Sequence, residues 1–409
     1  MIEVNGRRYE TPKRPTVVIC VDGCDPAYLS RAIPDNIVPT IASFQANGFF
    51  GYAEAVLPTF TNPNNISIVT GVPPSVHGIS GNYYLDRETG REVMIVDASL
   101  MRCETILAEM SRAGVRTAAI TAKDKLRKML GRNLAGISFS SERADEATIS
   151  GCGNDTAEDF VGRPKPDMYS ADLSLFVLDA GIQIVERRMA ELLYLSLSDY
   201  VQHAYAPGEP ESDAFLRELD ERVRRLLDLG AVVALVADHG MNDKANPNGE
   251  PRVVFLQEEL ERLFGEGAAR VICPITDPFV RHHGALGSFV RVYRGKTADQ
   301  ASLMNASAQL PGIAAVIDGI EAARRFELPV DREGDFIVLG DAGTVVGSKR
   351  SEHDLSGLAG RRLRSHGGLD ERQVPFILSR PLNETHELIA ASQKIRNFDI
   401  FEFALNGLS

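Results

Sequence analysis

A chain of 409 residues, 44% hydrophobic, 24% charged and 7% aromatic, has an ordinary globular composition and is not disordered, collagenous or a coiled coil. Its 44 Lys+Arg against 56 Asp+Glu leave a net charge of −12, which argues against a protein that tracks a nucleic-acid backbone or lies on an anionic membrane. At roughly 100–200 residues per domain, the length fits two or three domains, or one large α/β core with an insertion.

Met1–Pro15 carries basic pairs but no apolar stretch of signal-peptide length behind them. The longest apolar runs, such as Ala231–Ala237, are about a third of what a membrane-spanning helix needs. The expectation is a soluble, cytoplasmic protein that binds neither membrane nor nucleic acid. Cys20, Cys24, Cys103, Cys152 and Cys273 are scattered, odd in number and without a C-x-x-C pair. They read as reduced thiols, not as a disulfide framework or a thiolate zinc site.

Thr16–Val21 is the first short, β-branched apolar run to end abruptly in a polar residue, Asp22. Leu192–Leu197 ends the same way at Ser198–Asp199, and Ala231–Ala237 at Asp238. Buried parallel strands have this look. Between them, Cys103–Ala113 and Asp213–Leu229 have helical spacing, the second stopped by Gly230. The alternation points to an open α/β sheet with helices on both faces. Ligands of such sheets lie beyond the carboxyl ends of the strands, where all three aspartates fall. From about Pro274 the style changes: Ser288–Tyr293 and Asp335–Leu339 read as strands, Ala298–Gln309 and Ile320–Phe326 as helices. That pattern is a small α+β cap, residues 274–360, inserted into a core formed by 1–273 and 361–409, with Gly131–Asp172 a further candidate for the cap. A helix around Asn397–Leu405 closes the chain.

Asp22 alone is an ordinary turn former at a strand end. Asp199 and His203 lie at i and i+4, one helical face on which carboxylate and imidazole converge. Asp238 and His239 are adjacent at a strand terminus and reach one ion only in a tight turn, which Gly240 permits. His366 is followed by Gly367–Gly368. Three Asp and three His, with no Cys, make two sets of three ligands suited to two borderline or hard dications, zinc first. Paired ions of this kind are recurring apparatus of phosphoryl-transfer hydrolases. The candidate nucleophile segment is Pro58–Asn65, PTFTNPNN, in which Thr61 either caps the following helix or attacks substrate.

The set Asp22, Thr61-x-Pro-Asn, Val69-Thr70-Gly71 with His77-Gly78-Ile79 and Asn82, Asp199-x-x-x-His203, Asp238-His239-Gly240-Met241 and His366 resembles the alkaline phosphatase superfamily. Within it, the set resembles the nucleotide pyrophosphatase/phosphodiesterase branch and the related phosphonoacetate hydrolases. The resemblance implies that fold and two Zn²⁺ per chain, with Asp199, His203 and His366 on one ion and Asp22, Asp238 and His239 on the other. It implies Thr61 as nucleophile, a phosphothreonine intermediate hydrolysed by water, and Asn82 as donor to a phosphoryl oxygen. Lys123 and Lys125, after the apolar run Thr117–Ile120, resemble the carboxylate-binding lysine pair of the phosphonoacetate hydrolases, while Lys128 and Arg132 read as a solvated face. The implied reaction is hydrolysis of the C–P bond of a small-molecule phosphonate, with phosphodiester or nucleotide pyrophosphate hydrolysis the alternative. A homodimer is the one expected protein partner. His77 reads as a packing residue under the nucleophile loop, and His282 and His283 as loop residues at the cap edge.

Overall fold

In the computed structural model, which describes residues 1–149, 155–276, 284–358 and 360–409, the apolar runs that end in aspartate are neighbouring strands. Seven strands form the main sheet, in the spatial order Phe49–Glu54, Gln373–Leu378, Val232–Val236, Thr16–Cys20, Leu192–Ser196, Thr117–Thr121, Ile137–Ser140. Gln373–Leu378 is antiparallel to both its neighbours, and the other pairings are parallel. The central strands are buried along their whole length, as a sheet covered on both faces requires. Asp172–Glu186 packs against Pro210–Asp228, while Thr61–Thr70, Ile106–Arg112 and Ile400–Asn406 form a second group of helices. Pro210–Asp228 buries Phe215, Leu216, Leu219, Val223 and Leu226 along one stripe and ends before Gly230, whose φ of 82° only glycine adopts freely.

The register of the sheet places the chemistry. Cys20 pairs with Ser196 on one side and Val236 on the other, and Ser196 pairs with Thr121. Asp22, Asp199, Asp238 and Lys123 therefore follow within a few residues of a single row and emerge at one sheet edge. Sequence reading had put the aspartates there, and the pairing shows why they meet.

A second, four-stranded antiparallel sheet runs Ala269–Ile272, Phe289–Arg294, Phe336–Gly340, Ile313–Asp318. It has its own apolar core, which includes Leu260, Val271, Phe289, Val292, Leu303, Phe336 and Val338. This unit begins ahead of residue 274: the helix Leu256–Phe264 and the strand Ala269–Ile272 already turn Leu256, Leu260 and Val271 into that core. Ile313–Asp318, not foreseen as a strand, is an edge strand that is only partly buried, so its alternation is faint. Leu57 and Phe60, next to the candidate nucleophile, belong to the second core. The nucleophile loop is thus the seam between the two units. Among the described residues no helix is long and apolar enough to cross a membrane, and Cys20, Cys24, Cys103 and Cys273 are free thiols.

Candidate active site

Six buried side chains converge in two triplets at the sheet edge: Asp199 with His203 and His366, and Asp22 with Asp238 and His239. Within each triplet one ligand atom per residue lies within 4.8 Å of the others. His203 Nε2 is 3.1 Å from Asp199 Oδ2, and His239 Nε2 is 3.3 Å from Asp22 Oδ1. The rings of His239 and His366 stack with centroids 3.6 Å apart, so the two triplets share a wall.

The histidine backsides fix which nitrogen is available. His203 Nδ1 lies 2.8 Å from Arg364 O, His239 Nδ1 2.9 Å from Gly240 O, and His366 Nδ1 2.7 Å from Thr59 O. A carbonyl only accepts, so each Nδ1 carries the proton and each Nε2 turns a lone pair toward its triplet. Both oxygens of Asp22 are buried with no hydrogen-bond donor among the described residues. Burial, with Asp199 and Asp238 nearby, pushes the Asp22 carboxyl well above the usual carboxylate range, and burial raises Asp238 to about 6. Burial, then the neighbouring His239 and His203, push His366 well below its ordinary value. Three buried carboxylates and three imidazoles that each present Nε2 form a donor set that fits two divalent cations, which would supply positive charge among the carboxylates.

Gly240 serves differently from expectation. Its φ is not in the left-handed region. A Cβ there would lie 2.7 Å from Asp25 Oδ2, so it is space beside the ligand loop that excludes a side chain.

Thr61 is the first helical residue, behind Phe60 at the N-cap, and its hydroxyl does not cap the helix. Oγ1 instead lies 3.3 Å from His239 Nε2, at the wall of the second triplet. The hydroxyl is therefore not a cap, and it faces the triplets at a helix N-terminus, where an anion is also favoured. The loop is zipped to the last ligand, with Gly367 N donating to Thr59 Oγ1 at 3.0 Å and Thr59 Oγ1 donating to Gly368 O at 2.9 Å. At Gly367, with φ of 119°, a Cβ would come within 2.5 Å of the Phe60 ring.

Residues 16–369 match the model of the type I phosphodiesterase/nucleotide pyrophosphatase family. The chain belongs to this family. It is also similar to two crystal structures of phosphonoacetate hydrolase from Sinorhizobium meliloti 1021. The structure in complex with phosphonoformate has 44% sequence identity and a TM-score of 0.94, covering 100% of this chain and 99% of that one. The structure in complex with phosphonoacetate has 42% identity and a TM-score of 0.92 over the same extent. A phosphonoacetate hydrolase of Penicillium oxalicum is 59% identical over 41 residues, 10% of this chain and 54% of the relative. A pyrophosphatase/phosphodiesterase of Schizosaccharomyces pombe is 25% identical over 258 residues, 59% of this chain and 46% of the relative. The chain thus spans about half the length of the curated relatives it matches.

In this family member the first triplet opens through Asp199 and His366 onto a cavity of ≈ 180 Å³ whose lining also includes Thr61, Asn82, Lys123 and Lys125. Lys123 Nζ lies 2.9 Å from Asp199 Oδ1 and 3.9 Å from Asp22 Oδ2, so this ammonium reaches a carboxylate of each triplet. Lys125 sits in the first turn of the helix Asp124–Leu130 and faces the cavity from the side. Lys128, expected on a solvated face, lines the same cavity, and Arg132 binds Met101 O at 2.6 Å. Asn82 donates from Nδ2 to Ile275 O at 3.2 Å and accepts from Asn62 Nδ2. Met168 and Tyr169 also line the cavity, but the segment Gly131–Asp172 packs Phe139, Ala144, Ala157 and Phe160 into the main core and not into the core of the second sheet.

Sequence reading missed Asn62 and Asn65. Asn65 Nδ2 donates to Asp238 Oδ2 at 3.1 Å and to Thr61 O at 3.0 Å, joining the second triplet to the Thr61 turn, while Tyr194 and Ser196 donate to its Oδ1. The available signal was position i+4 from Thr61, on the same helix face. His77 is buried as expected, with Ile79 N donating to its Nδ1 at 3.1 Å and Ser67 Oγ 2.8 Å from its Nε2. His282 and His283 lie outside the described residues.

Proposed function

We propose that the chain hydrolyses the C–P bond of phosphonoacetate to acetate and phosphate, through a phosphothreonine at Thr61. The observation that carries this is the conjunction of six metal-type ligands, a hydroxyl aimed at them and two lysines on one cavity, in a chain alike over its whole length to phosphonoacetate hydrolase. Asp199, His203 and His366 would hold one divalent cation and Asp22, Asp238 and His239 the second, with zinc suited to this nitrogen and oxygen donor set. Two such cations, when bound, supply the positive charge that favours a deprotonated hydroxyl and offsets charge on a phosphoryl group.

The residues of the chain do the rest. Thr61 Oγ1 attacks phosphorus, the P–C bond breaks, and its electron pair stays on the methylene carbon as the enolate of acetate, which takes a proton to become acetate. Lys123 and Lys125 hold the carboxylate, and their charge counts for more as the enolate develops. Asn82 donates to a phosphoryl oxygen. Water then hydrolyses the phosphothreonine, returning the hydroxyl and releasing phosphate. The thiols and the small anionic substrate fit a cytoplasmic enzyme.

The family match favours one second reading, hydrolysis of a phosphodiester or nucleotide pyrophosphate at the same ligands. Phosphate release from phosphonoacetate, measured with zinc-loaded protein beside a p-nitrophenyl phosphodiester, separates the two. Fast release from phosphonoacetate that a chelator abolishes is expected. Turnover of the diester alone would move the substrate to the phosphodiesterase reading.

A further inference from the structure

Arg291 and Glu333 are buried at 0% and 2% exposure, far from the metal ligands in sequence and carried by the second sheet and the turn before its third strand. Arg291 Nη2 lies 2.6 Å from Glu333 Oε1 and Nε 2.8 Å from Oε2, a two-pronged pair. The remaining donors of the guanidinium leave the second unit altogether. Nη2 donates to Ser80 O at 2.8 Å and Ser80 Oγ at 2.9 Å, and Nη1 to Tyr83 O at 3.4 Å.

These acceptors flank Asn82 on both sides. From the opposite direction Asn82 N donates to Pro274 O at 2.7 Å, and its side chain bonds Ile275 and Asn62. Gly81 is threaded between the two supports: with φ of 153°, its Cβ would lie 2.6 Å from Pro274 Cβ and 3.4 Å from Arg291 Nη1. A buried ion pair is weak evidence of stability, because desolvation offsets most of the attraction. Its distinctive property here is geometric. A planar guanidinium locked by one carboxylate holds two carbonyls at a fixed spacing, which an ammonium cannot do.

We propose that Arg291, locked by Glu333, is a positioning residue that aims the Asn82 amide at the phosphoryl group, so that the cap unit sets the geometry of the site from behind. The inference rests on the reading of Asn82 as the phosphoryl donor. It is tested by phosphate release from phosphonoacetate with zinc-loaded Arg291→Lys, Asn82→Ala and the double variant. Asn82→Ala is expected to lower kcat about 100-fold. Arg291→Lys keeps a charge opposite Glu333 but loses the fork, and is expected to lower kcat about tenfold with KM almost unchanged, since misplacement from outside the site acts on orientation. The double variant is expected to be no slower than Asn82→Ala, because a support has nothing left to aim.

A merely structural pair would lower the thermal midpoint while leaving kcat intact, or its loss would multiply with that of Asn82→Ala; either result overturns the proposal. Asn82→Ala turning over at the unsubstituted rate would remove the phosphoryl-donor reading and this inference together. Asn82→Ala slow beside an unimpaired Arg291→Lys would remove this inference alone. Glu333→Gln keeps an acceptor for Arg291, and the same criteria apply to it if Arg291→Lys does not fold.

Discussion

At the scale of single residues, protons decide what the site can do. The carbonyls behind His203, His239 and His366 commit each Nδ1 to donation, so every Nε2 is a ready ligand without rearrangement. His77 is committed the other way: its Nδ1 accepts from Ile79 N, and burial, with Arg332 nearby, pushes its pKa down to about 3. Unfolding restores a value near 6.5, so the unfolded chain binds the extra proton between those limits. Stability from neutral His77 is therefore complete above about pH 6.5 and falls as pH drops below it, by up to about 1.4 kcal/mol per pH unit. Asparagine in its place keeps an acceptor for Ile79, and His77→Asn should show a flatter loss of thermal stability from pH 7.5 to 5; equal slopes would remove this role. Lys125, which lines the cavity from the first turn of its helix, is the lysine to replace. Lys125→Ala should reduce kcat/KM for phosphonoacetate about 30-fold, the value of one hydrogen bond to a charged group, with diester hydrolysis almost unchanged. Equal losses on both substrates would demote Lys125 to general electrostatics. The two triplets and Thr61 were legible as candidates in the sequence because each residue sits directly after an apolar strand or in a distinctive motif. Asn62, Asn65 and Arg291 were not, because the contacts that mark them are with residues distant in sequence.

At the scale of elements, loops after different strands are clamped together. Lys244 and Glu371 are both fully buried and 2.7 Å apart, and Glu371 also accepts from Asn242 Nδ2 and Gly368 N. The segment carrying Asp238 and His239 is thereby tied to the one carrying His366. Removing one partner leaves a buried charge alone, so Lys244→Met should cost about 3–5 kcal/mol and lower zinc affinity with it. Unfolding and zinc-competition titrations check both, and an unchanged midpoint would show that the pair is not needed. Alternation of strand and helix makes the main sheet legible in the sequence. The second sheet was only half legible, because Ile313–Asp318 is a partly buried edge and Ala269–Ile272 is only four residues long.

For the whole molecule, the site lies where two hydrophobic cores meet, with Phe60 packed edge-on to both Phe289 and His366. A negative chain of net charge −12 gathers three buried carboxylates there, so cations should bind the folded state and not the unfolded one. At a free concentration 1,000 times Kd, one bound zinc contributes about 4 kcal/mol of stability. Chelation should therefore lower the thermal midpoint by several degrees and zinc should restore it, whereas an unchanged midpoint would deny the triplets a metal.

The most direct measurement is phosphate release from phosphonoacetate by zinc-loaded Thr61→Ala beside the unsubstituted protein, with metal content and thermal midpoint matched. Turnover should fall to background in the variant, since no other hydroxyl of the nucleophile loop faces the ligand triplets. Near-normal release by Thr61→Ala would contradict a phosphothreonine route and leave the ligands serving some other chemistry.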